Sequence, residues 1–174
     1  ISATFTVTNV SCNGDSNGSI KALINSGVFP YSYLWSTGGI TDSIGGLNQG
    51  DYTLTVTDSN GCFMIDTVSI TEPLVFLGSL VSTNVSSCGT LDGSASLNMS
   101  GGTLPFSFLW NTGDTTQNID SLSTGEYTVI ATDANNCTFN DTVVISVISS
   151  SLIVSTSTSN YNGGDQIRCN GGTD

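Results

Sequence analysis

The segment DYTLTVTDSNGC, residues 51–62, returns as EYTVIATDANNC at residues 126–137. The two copies lie 75 residues apart, and each ends on a cysteine. At this offset, 20 of the 43 positions from residue 28 to residue 70 are identical to their counterparts, without a gap. Such self-similarity indicates a tandem array in which each copy of the repeat is one folding unit.

The repeated segment has the pattern of a half-buried β-strand. Residues 52–57 alternate apolar and polar side chains, and residues 31–35 alternate in the same way with aromatic rings. Turns rich in Gly and Asn separate these segments from their neighbours. Further strands are predicted at residues 3–9, 18–25, 39–45 and 63–71. The sequence therefore predicts an all-β fold of tandem immunoglobulin-like β-sandwich repeats.

The offset also predicts the domain organisation. We expect a first β-sandwich repeat at residues 1–72, a second at 73–149 and the start of a third, truncated repeat at 150–174. Because the chain begins and ends within repeated material, we expect it to be a mature piece of a longer array.

Two further sequence features are typical of such sandwiches. LNQGDY at 47–52 and LSTGEY at 122–127 match the tyrosine corner, in which the tyrosine hydroxyl bonds to an upstream backbone group. Asp58 follows directly after a strand, where aspartate commonly accepts backbone N–H bonds from its own turn.

The composition argues against several classes of function. The net charge is −12, and Lys21 and Arg168 are the two basic residues, which argues against nucleic acid and anionic membranes as partners. The chain has no histidine, so imidazole-based catalysis is excluded, and we expect no enzymatic activity. No apolar run approaches the roughly 20 residues of a membrane span.

The five cysteines, at positions 12, 62, 88, 137 and 169, are widely spaced and form no CxxC pair. This spacing argues against a zinc site and favours disulfides, with free thiols in a cytosolic core as the alternative. One bridge per repeat predicts the pairs Cys12–Cys62 and Cys88–Cys137, each worth roughly 4 kcal/mol. Cys169 is then the first cysteine of the third repeat.

Calcium is the metal that the acidic turns favour. Asp15 with Asp58 in the first repeat, and Asp92 with Asp133 in the second, could supply the oxygen ligands that Ca²⁺ prefers. No EF-hand motif is present, and the alternative is that each aspartate accepts hydrogen bonds only within its own turn. We expect no other cofactor.

These residues resemble a known repeat family. The runs CNGDSNGSI (12–20), PYSYLWSTGG (30–39) and LNQGDYTLTVTDSNGC (47–62) resemble the SprB repeat. That family occurs in very large cell-surface adhesins of Bacteroidetes, including gliding-motility adhesins exported by the type IX secretion system. TVTDSNGC is also similar to the end of polycystic-kidney-disease-type (PKD) modules. The resemblance implies an extracellular location on the bacterial surface, although the second copy departs from the pattern at CGTLDGS (88–94).

The resemblance gives meaning to five Asp-Ser/Thr triplets, because Bacteroidetes attach O-glycans to such sequences. The hydroxyl residues are Ser43, Thr67, Thr115, Ser121 and Thr142. Thr67 and Thr142 stand out because they occupy equivalent positions in the two repeats. The alternative is that Asp and Thr are simply common where strands begin.

The sequence thus predicts a structural repeat segment of an extracellular adhesin or filament, which provides reach and transmits load in adhesion or gliding motility. Neighbouring repeats of the same chain are the expected partners. The alternatives are a module that binds surface glycans or calcium, and a fibre subunit that assembles through edge strands.

Overall fold

The computed structural model describes residues 1–148, and their regular secondary structure is β-strand throughout. The first copy of the repeat forms β1 (Ser2–Thr8), β2 (Gly18–Ser26), β3 (Ser32–Trp35), β4 (Ser43–Leu47), β5 (Gly50–Thr57) and β6 (Phe63–Ile70). The second copy forms β7 (Leu77–Thr83), β8 (Gly93–Ser100), β9 (Ser107–Trp110), β10 (Asn118–Leu122), β11 (Gly125–Thr132) and β12 (Thr138–Ile145). The predicted start of a third repeat, with Cys169, lies outside the described residues. Within residues 1–148 there is no helix that could cross a membrane.

The chain divides into two compact units. The first comprises Ile1–Leu77 together with Ser100–Phe106 and Thr132–Phe139; the second comprises Gly78–Met99, Ser107–Ala131 and, within the described residues, 140–148. The repeat boundaries predicted from the sequence, after residues 72 and 149, stay predictions.

The first copy is a sandwich of two three-stranded sheets, with strand orders β1-β2-β4 and β3-β5-β6. The register of the β5–β6 hairpin defines two opposite ends of this sandwich. Gly50 pairs with Ile70 at one end, and Thr57 pairs with Phe63 at the other. We call the first the corner end, because the tyrosine corner lies there, and the second the turn end. The second copy has the matching sheets β7-β8-β10 and β9-β11-β12.

The space between the two sheets of the first copy is filled by side chains from both. The buried residues are Val10, Ile20, Ala22, Trp35, Leu47, Leu54, Val56 and Ile70. Trp35 is buried to 1% exposure, and its indole N–H donates to the carbonyl of Thr41 at 2.9 Å, so its polar group is satisfied. The alternation seen in the sequence of β5 thus places Leu54 and Val56 in the core, as predicted.

The second copy buries the equivalent positions with different side chains. Ile20 and Ala22 on β2 become Ala95 and Leu97 on β8, all of them buried. The larger side chain therefore moves by two residues on the same face of the strand, which changes the total core volume little. Trp110 repeats Trp35, and its N–H donates to the carbonyl of Thr116 at 2.9 Å.

Both predicted tyrosine corners form. The hydroxyl of Tyr52 donates to the carbonyl of Asn48 at 3.0 Å, and the hydroxyl of Tyr127 donates to that of Ser123 at 3.2 Å. Each bond fixes the crossing from one sheet to the other, so the sandwich interpretation is confirmed by its own signature.

One predicted strand was placed too early. The strand expected at residues 39–45 begins at Ser43, because a tight turn precedes it. In that turn the Gly38 N–H donates to the Trp35 carbonyl at 2.8 Å, and the Trp35 N–H donates to the Gly39 carbonyl at 2.8 Å. Gly38 has φ of 88°, which glycine adopts without the steric cost that other residues pay.

Candidate functional site

The turn at residues 58–62 is organised by one aspartate. Oδ1 of Asp58 accepts the N–H of Asn60 at 2.9 Å and that of Cys62 at 3.0 Å. Oδ2 accepts the N–H of Val28 at 3.2 Å. Both oxygens of this carboxylate, which is only 8% exposed, are therefore occupied by backbone donors, and Cys62 is held at a fixed place in the turn.

The protonation of Asp58 reflects two opposed effects. Burial raises the pKa of its carboxyl, because the charged form loses hydration. The backbone N–H groups of Val28, Cys62 and Asn60 lower it, since they stabilise the anion, and the net pKa lies below the ordinary value. Asp58 is thus charged over the physiological range.

The second copy builds the same turn at residues 133–137. Oδ1 of Asp133 accepts the N–H of Asn135 at 2.8 Å and that of Cys137 at 2.9 Å, and Oδ2 accepts the N–H of Thr103 at 2.8 Å. We call these two segments, 58–62 and 133–137, the cysteine turns. Their agreement, bond for bond, shows that the local sequence determines the turn.

The disulfide does not follow the predicted pairing. Cys12 is bonded to Cys137, with Cα atoms 5.7 Å apart, across a sequence separation of 125. Cys62 is a free, exposed thiol. The predicted Cys12–Cys62 and Cys88–Cys137 bridges are therefore both wrong. Cys88 is itself disulfide-bonded, but not to Cys137.

The direction of the strands explains the error. The loop that carries Cys12 lies at the corner end, where the N–H of Val10 donates to the carbonyl of Thr71 just after β6. Cys62 lies at the turn end, just before β6. Since β6 has 8 residues, the two cysteines are separated by a strand length of about 25 Å. A disulfide requires Cα atoms within roughly 7 Å.

Apolar alternation along the sequence does not show the direction of a strand, so it could not reveal this. Cysteines in loops that lie at opposite ends of a sandwich cannot pair within it. The nearly equal spacing of the cysteines in the two copies carries no information about which end of the sandwich each loop occupies.

The loop of residues 9–17, which we call the cysteine loop, is anchored on its own sandwich. Thr71 donates its N–H to Oδ1 of Asn9 at 3.0 Å, and Gly14 donates its N–H to Oε2 of Glu72 at 2.8 Å. Asn13 donates from Nδ2 to the carbonyl of Pro73 at 3.1 Å. Cys12 is thus presented by a loop that is held by hydrogen bonds to its own sandwich as well as by the disulfide.

The cysteine loop contacts the second cysteine turn through more than sulfur. Nδ2 of Asn135 donates to the carbonyl of Ser11 at 3.0 Å, and Sγ of Cys137 lies 3.5 Å from the same oxygen. Cys137 is 9% exposed as a result. All of these residues belong to the first compact unit. Sequence reasoning missed the role of Asn135, although its position in TDANNC repeats that of Asn60 in TDSNGC.

The four predicted calcium ligands have separate surroundings. The oxygens of Asp58 and Asp133 are engaged by the backbone, as described above. Oδ1 of Asp92 accepts the N–H of Ser86 at 3.1 Å and the hydroxyl of Thr90 at 2.7 Å, and such hydrogen bonds lower the pKa of Asp92 to about 2. Asp15 lines a cleft of about 390 Å³ beside the disulfide, as the one acidic residue there.

Over residues 1–148, no three His, Cys, Asp or Glu side chains come together as metal ligands. These contacts favour the alternative in which the aspartates accept hydrogen bonds from their own turns and loops. Calcium binding stays a prediction.

The five hydroxyl residues predicted to carry O-glycans are all exposed: Ser43, Thr67, Thr115, Ser121 and Thr142. Thr67 and Thr142 have the same surroundings. Their Oγ1 atoms lie 3.0 and 3.1 Å from those of Thr53 and Thr128 on the neighbouring strand. A glycosylated oxygen can still accept such a bond, so this cross-strand pair is compatible with modification.

Comparison with known protein families finds the same repeat in both copies. A family model described as the SprB repeat matches residues 4–39 and 79–115. The predicted resemblance is thereby confirmed, once in each copy. SprB repeats are cell-surface adhesin-type repeats, a structural class rather than an enzyme class. No curated protein matches the chain.

Several solved structures are similar to this chain at low identity. The amphioxus IgVJ-C2 molecule is 15% identical, with a TM-score of 0.39, over 79% of this chain and 100% of that one. Fibronectin(III)-like modules of Clostridium thermocellum CbhA are 18% identical, with a TM-score of 0.34, over 83% and 94%. The C-terminal 282-residue fragment of intimin, solved with the intimin-binding domain of its receptor Tir, is 13% identical, with a TM-score of 0.38, over 84% and 64%.

Proposed function

We propose that this chain is a load-transmitting segment of an extracellular bacterial adhesin or filament. The SprB matches support the adhesin class. The observation that carries the mechanical part is the Cys12–Cys137 disulfide, which joins the cysteine loop of one copy to the cysteine turn of the next.

The disulfide changes the path that tension takes along the chain. Pulling on the residues before Cys12 and after Cys137 loads the sulfur–sulfur bond, because the residues between them form a closed covalent loop. Those residues can unfold, but they cannot lengthen the molecule. A covalent bond therefore limits extension where hydrogen bonds alone would yield.

Force spectroscopy tests this function directly. The chain is held by handles at its two ends and stretched before and after reduction. Reduction should release about 400 Å of additional extension, since 125 residues become free at roughly 3.3–3.6 Å each. The Cys62→Ser variant is the matched control, and its extension should equal that of the native chain. Equal extension of the oxidised and reduced native chain would exclude load transmission through the disulfide.

A surface location has an independent test. Protease added to intact cells of the source bacterium should release peptides of this chain, while a cytosolic marker stays intact. Release only after lysis would contradict an adhesin role. The disulfide and the SprB matches support the surface location, since disulfides persist in oxidising compartments.

Glycosylation is the finer part of this proposal. O-glycans on Thr67 and Thr142 would solvate a surface whose charged residues are only 9% of the chain. Intact-mass measurement of the natural protein, compared with a Thr67→Val and Thr142→Val double variant, should show a loss of hexose mass. Identical added mass in both would place any glycans elsewhere.

A further inference from the structure

We propose that Cys62 is a docking site for the cysteine loop of another repeat, to which it becomes linked by a disulfide. A free cysteine alone would not indicate this. The independent observation is that the equivalent residue of the second copy, Cys137, already holds such a loop through Cys12. The first copy has the same turn without the loop.

The two cysteine turns match in every backbone bond that positions the thiol. The N–H of Asp58 donates to the carbonyl of Cys62 at 2.9 Å, as that of Asp133 donates to Cys137 at 2.9 Å. The N–H of the residue before each cysteine donates to the aspartate carbonyl at 3.0 Å in both copies. The main chain therefore presents Cys62 as it presents Cys137.

The residue type that makes the polar contact beside the disulfide is also present in the first copy. Asn135 bonds to the carbonyl of Ser11 in the occupied turn. Its counterpart Asn60 is exposed beside the exposed Cys62. An incoming loop with the sequence Ser-Cys-Asn would thus find both the thiol and the amide donor that the occupied turn uses.

Each copy also carries a loop with a cysteine at its corner end, the kind of loop that binds a cysteine turn in the first compact unit. In the first copy the N–H of Val10 donates to Thr71, and in the second the N–H of Val85 donates to the carbonyl of Ser146 at 3.0 Å. Of the two cysteines that these loops carry, Cys12 is bonded to the turn cysteine Cys137. A repeat therefore offers a loop cysteine at one end and a turn cysteine at the other, the arrangement needed for head-to-tail linkage.

The chemistry is thiol–disulfide exchange. The Cys62 thiolate attacks one sulfur of a disulfide on the incoming loop cysteine, a new sulfur–sulfur bond forms, and the other thiolate leaves with the electron pair. The oxidant is thus a disulfide, supplied in the cell by a disulfide oxidoreductase or a small disulfide. The occupant is the cysteine loop of a further repeat of this type, from the same chain or from another.

An exchange assay on the full native chain tests the docking. The probe is the peptide TNVSCNGDSNG, residues 8–18, with its cysteine activated as a mixed disulfide with thionitrobenzoate. Release of the coloured thionitrobenzoate reports the reaction, and the rate with the Cys62→Ser variant is subtracted. The control peptide has the same residues in scrambled order, with the same activated cysteine.

We expect the loop peptide to react with Cys62 roughly tenfold faster than the scrambled peptide, which corresponds to about one well-formed hydrogen bond. Asn60→Ala should bring the loop peptide down to the scrambled rate. Equal rates for the two peptides with the native chain would overturn the proposal.

Protein isolated from the source cells gives the second measurement. Non-reduced digestion should yield a Cys62 peptide linked to a cysteine loop of the repeat, and the sequence of the linked peptide tells whether the partner is the same chain or another. Recovery of Cys62 as a free thiol would overturn the proposal.

Discussion

The two cysteine turns of this molecule have the same backbone hydrogen bonds, but only one of their cysteines forms a disulfide. Asp58 and Asp133 hold their cysteines with matching backbone geometry. Yet Cys137 is buried under the loop of Cys12, whereas Cys62 is exposed and unpaired. The comparison teaches that the turn is a property of the local sequence, while the disulfide is a property of what docks on it.

Among the variants that test this comparison, removal of the disulfide should change the unfolding free energy most. The Cys12→Ser and Cys137→Ser double variant should lose about 5 kcal/mol of unfolding free energy, because a loop of more than a hundred residues is no longer closed. Urea denaturation measures the loss. Cys62→Ser should stay within about 0.5 kcal/mol of the native chain, as exposed substitutions do. A comparable loss in Cys62→Ser would erase the difference between the two turns.

Breaking the second turn itself should cost less. In Asp133→Asn, one oxygen becomes an NH₂ group that faces a backbone donor, either that of Thr103 or those of Asn135 and Cys137. We expect a loss of roughly 2 kcal/mol, since the bonds to a charged acceptor disappear. The matched variant Asp58→Asn should be destabilised in the same direction. No change in either urea midpoint would show that the carboxylates do not hold these turns.

The tyrosine corners should give a smaller effect. Tyr127→Phe removes the hydroxyl that bonds to Ser123, and about 1 kcal/mol should be lost. Tyr52→Phe, which removes the bond to Asn48, is the parallel variant in the first copy. Thermal unfolding of both variants measures these losses. A gain in stability would mean that the corner bonds are strained rather than favourable.

Asp92 offers the smallest and most selective test. Its folded pKa of about 2 lies below the ordinary value of about 3.9, so its stabilising effect is present above pH 4 and is lost as the pH falls toward 2. Asn17 occupies the equivalent place in the first copy, where its Oδ1 accepts the N–H of Ser11 at 3.0 Å. Asp92→Asn therefore makes the loop that carries Cys88 resemble the cysteine loop of the first copy.

We expect Asp92→Asn to unfold at nearly the native temperature at pH 6 and to lose less stability than the native chain between pH 4 and pH 2. Thermal melts at these pH values measure the difference. A variant with the full acid sensitivity of the native chain would show that Asp92 does not cause it.

Much of the fold followed from local sequence. The alternation in residues 52–57 correctly predicted β5, and the LxxGxY spacing predicted both tyrosine corners, because strand period and corner chemistry act over a few residues. Asp58 was correctly assigned to its turn for the same reason. The start of β4 was misplaced because the turn after Trp35 is closed by bonds that apolar alternation does not reveal.

The disulfide could not be predicted in the same way. The nearly equal spacing of the cysteines in the two copies favoured the pairs Cys12–Cys62 and Cys88–Cys137, but pairing depends on which end of the sandwich each loop occupies. That depends on the directions of the four strands between the two cysteines of a copy, and on contact between residues 125 positions apart. Local pattern contains neither.

Disulfide mapping of the unreduced 174-residue chain, produced alone so that no further repeat is present to pair with Cys62, tests the central claim most directly. Free thiols are first alkylated with N-ethylmaleimide, and the protein is then digested and its peptides are weighed. The structure predicts a peptide pair joined through Cys12 and Cys137, together with an alkylated Cys62. A pair joined through Cys12 and Cys62 would contradict the account, because the first repeat would then be closed on itself and Cys12 could not join it to the second by a disulfide.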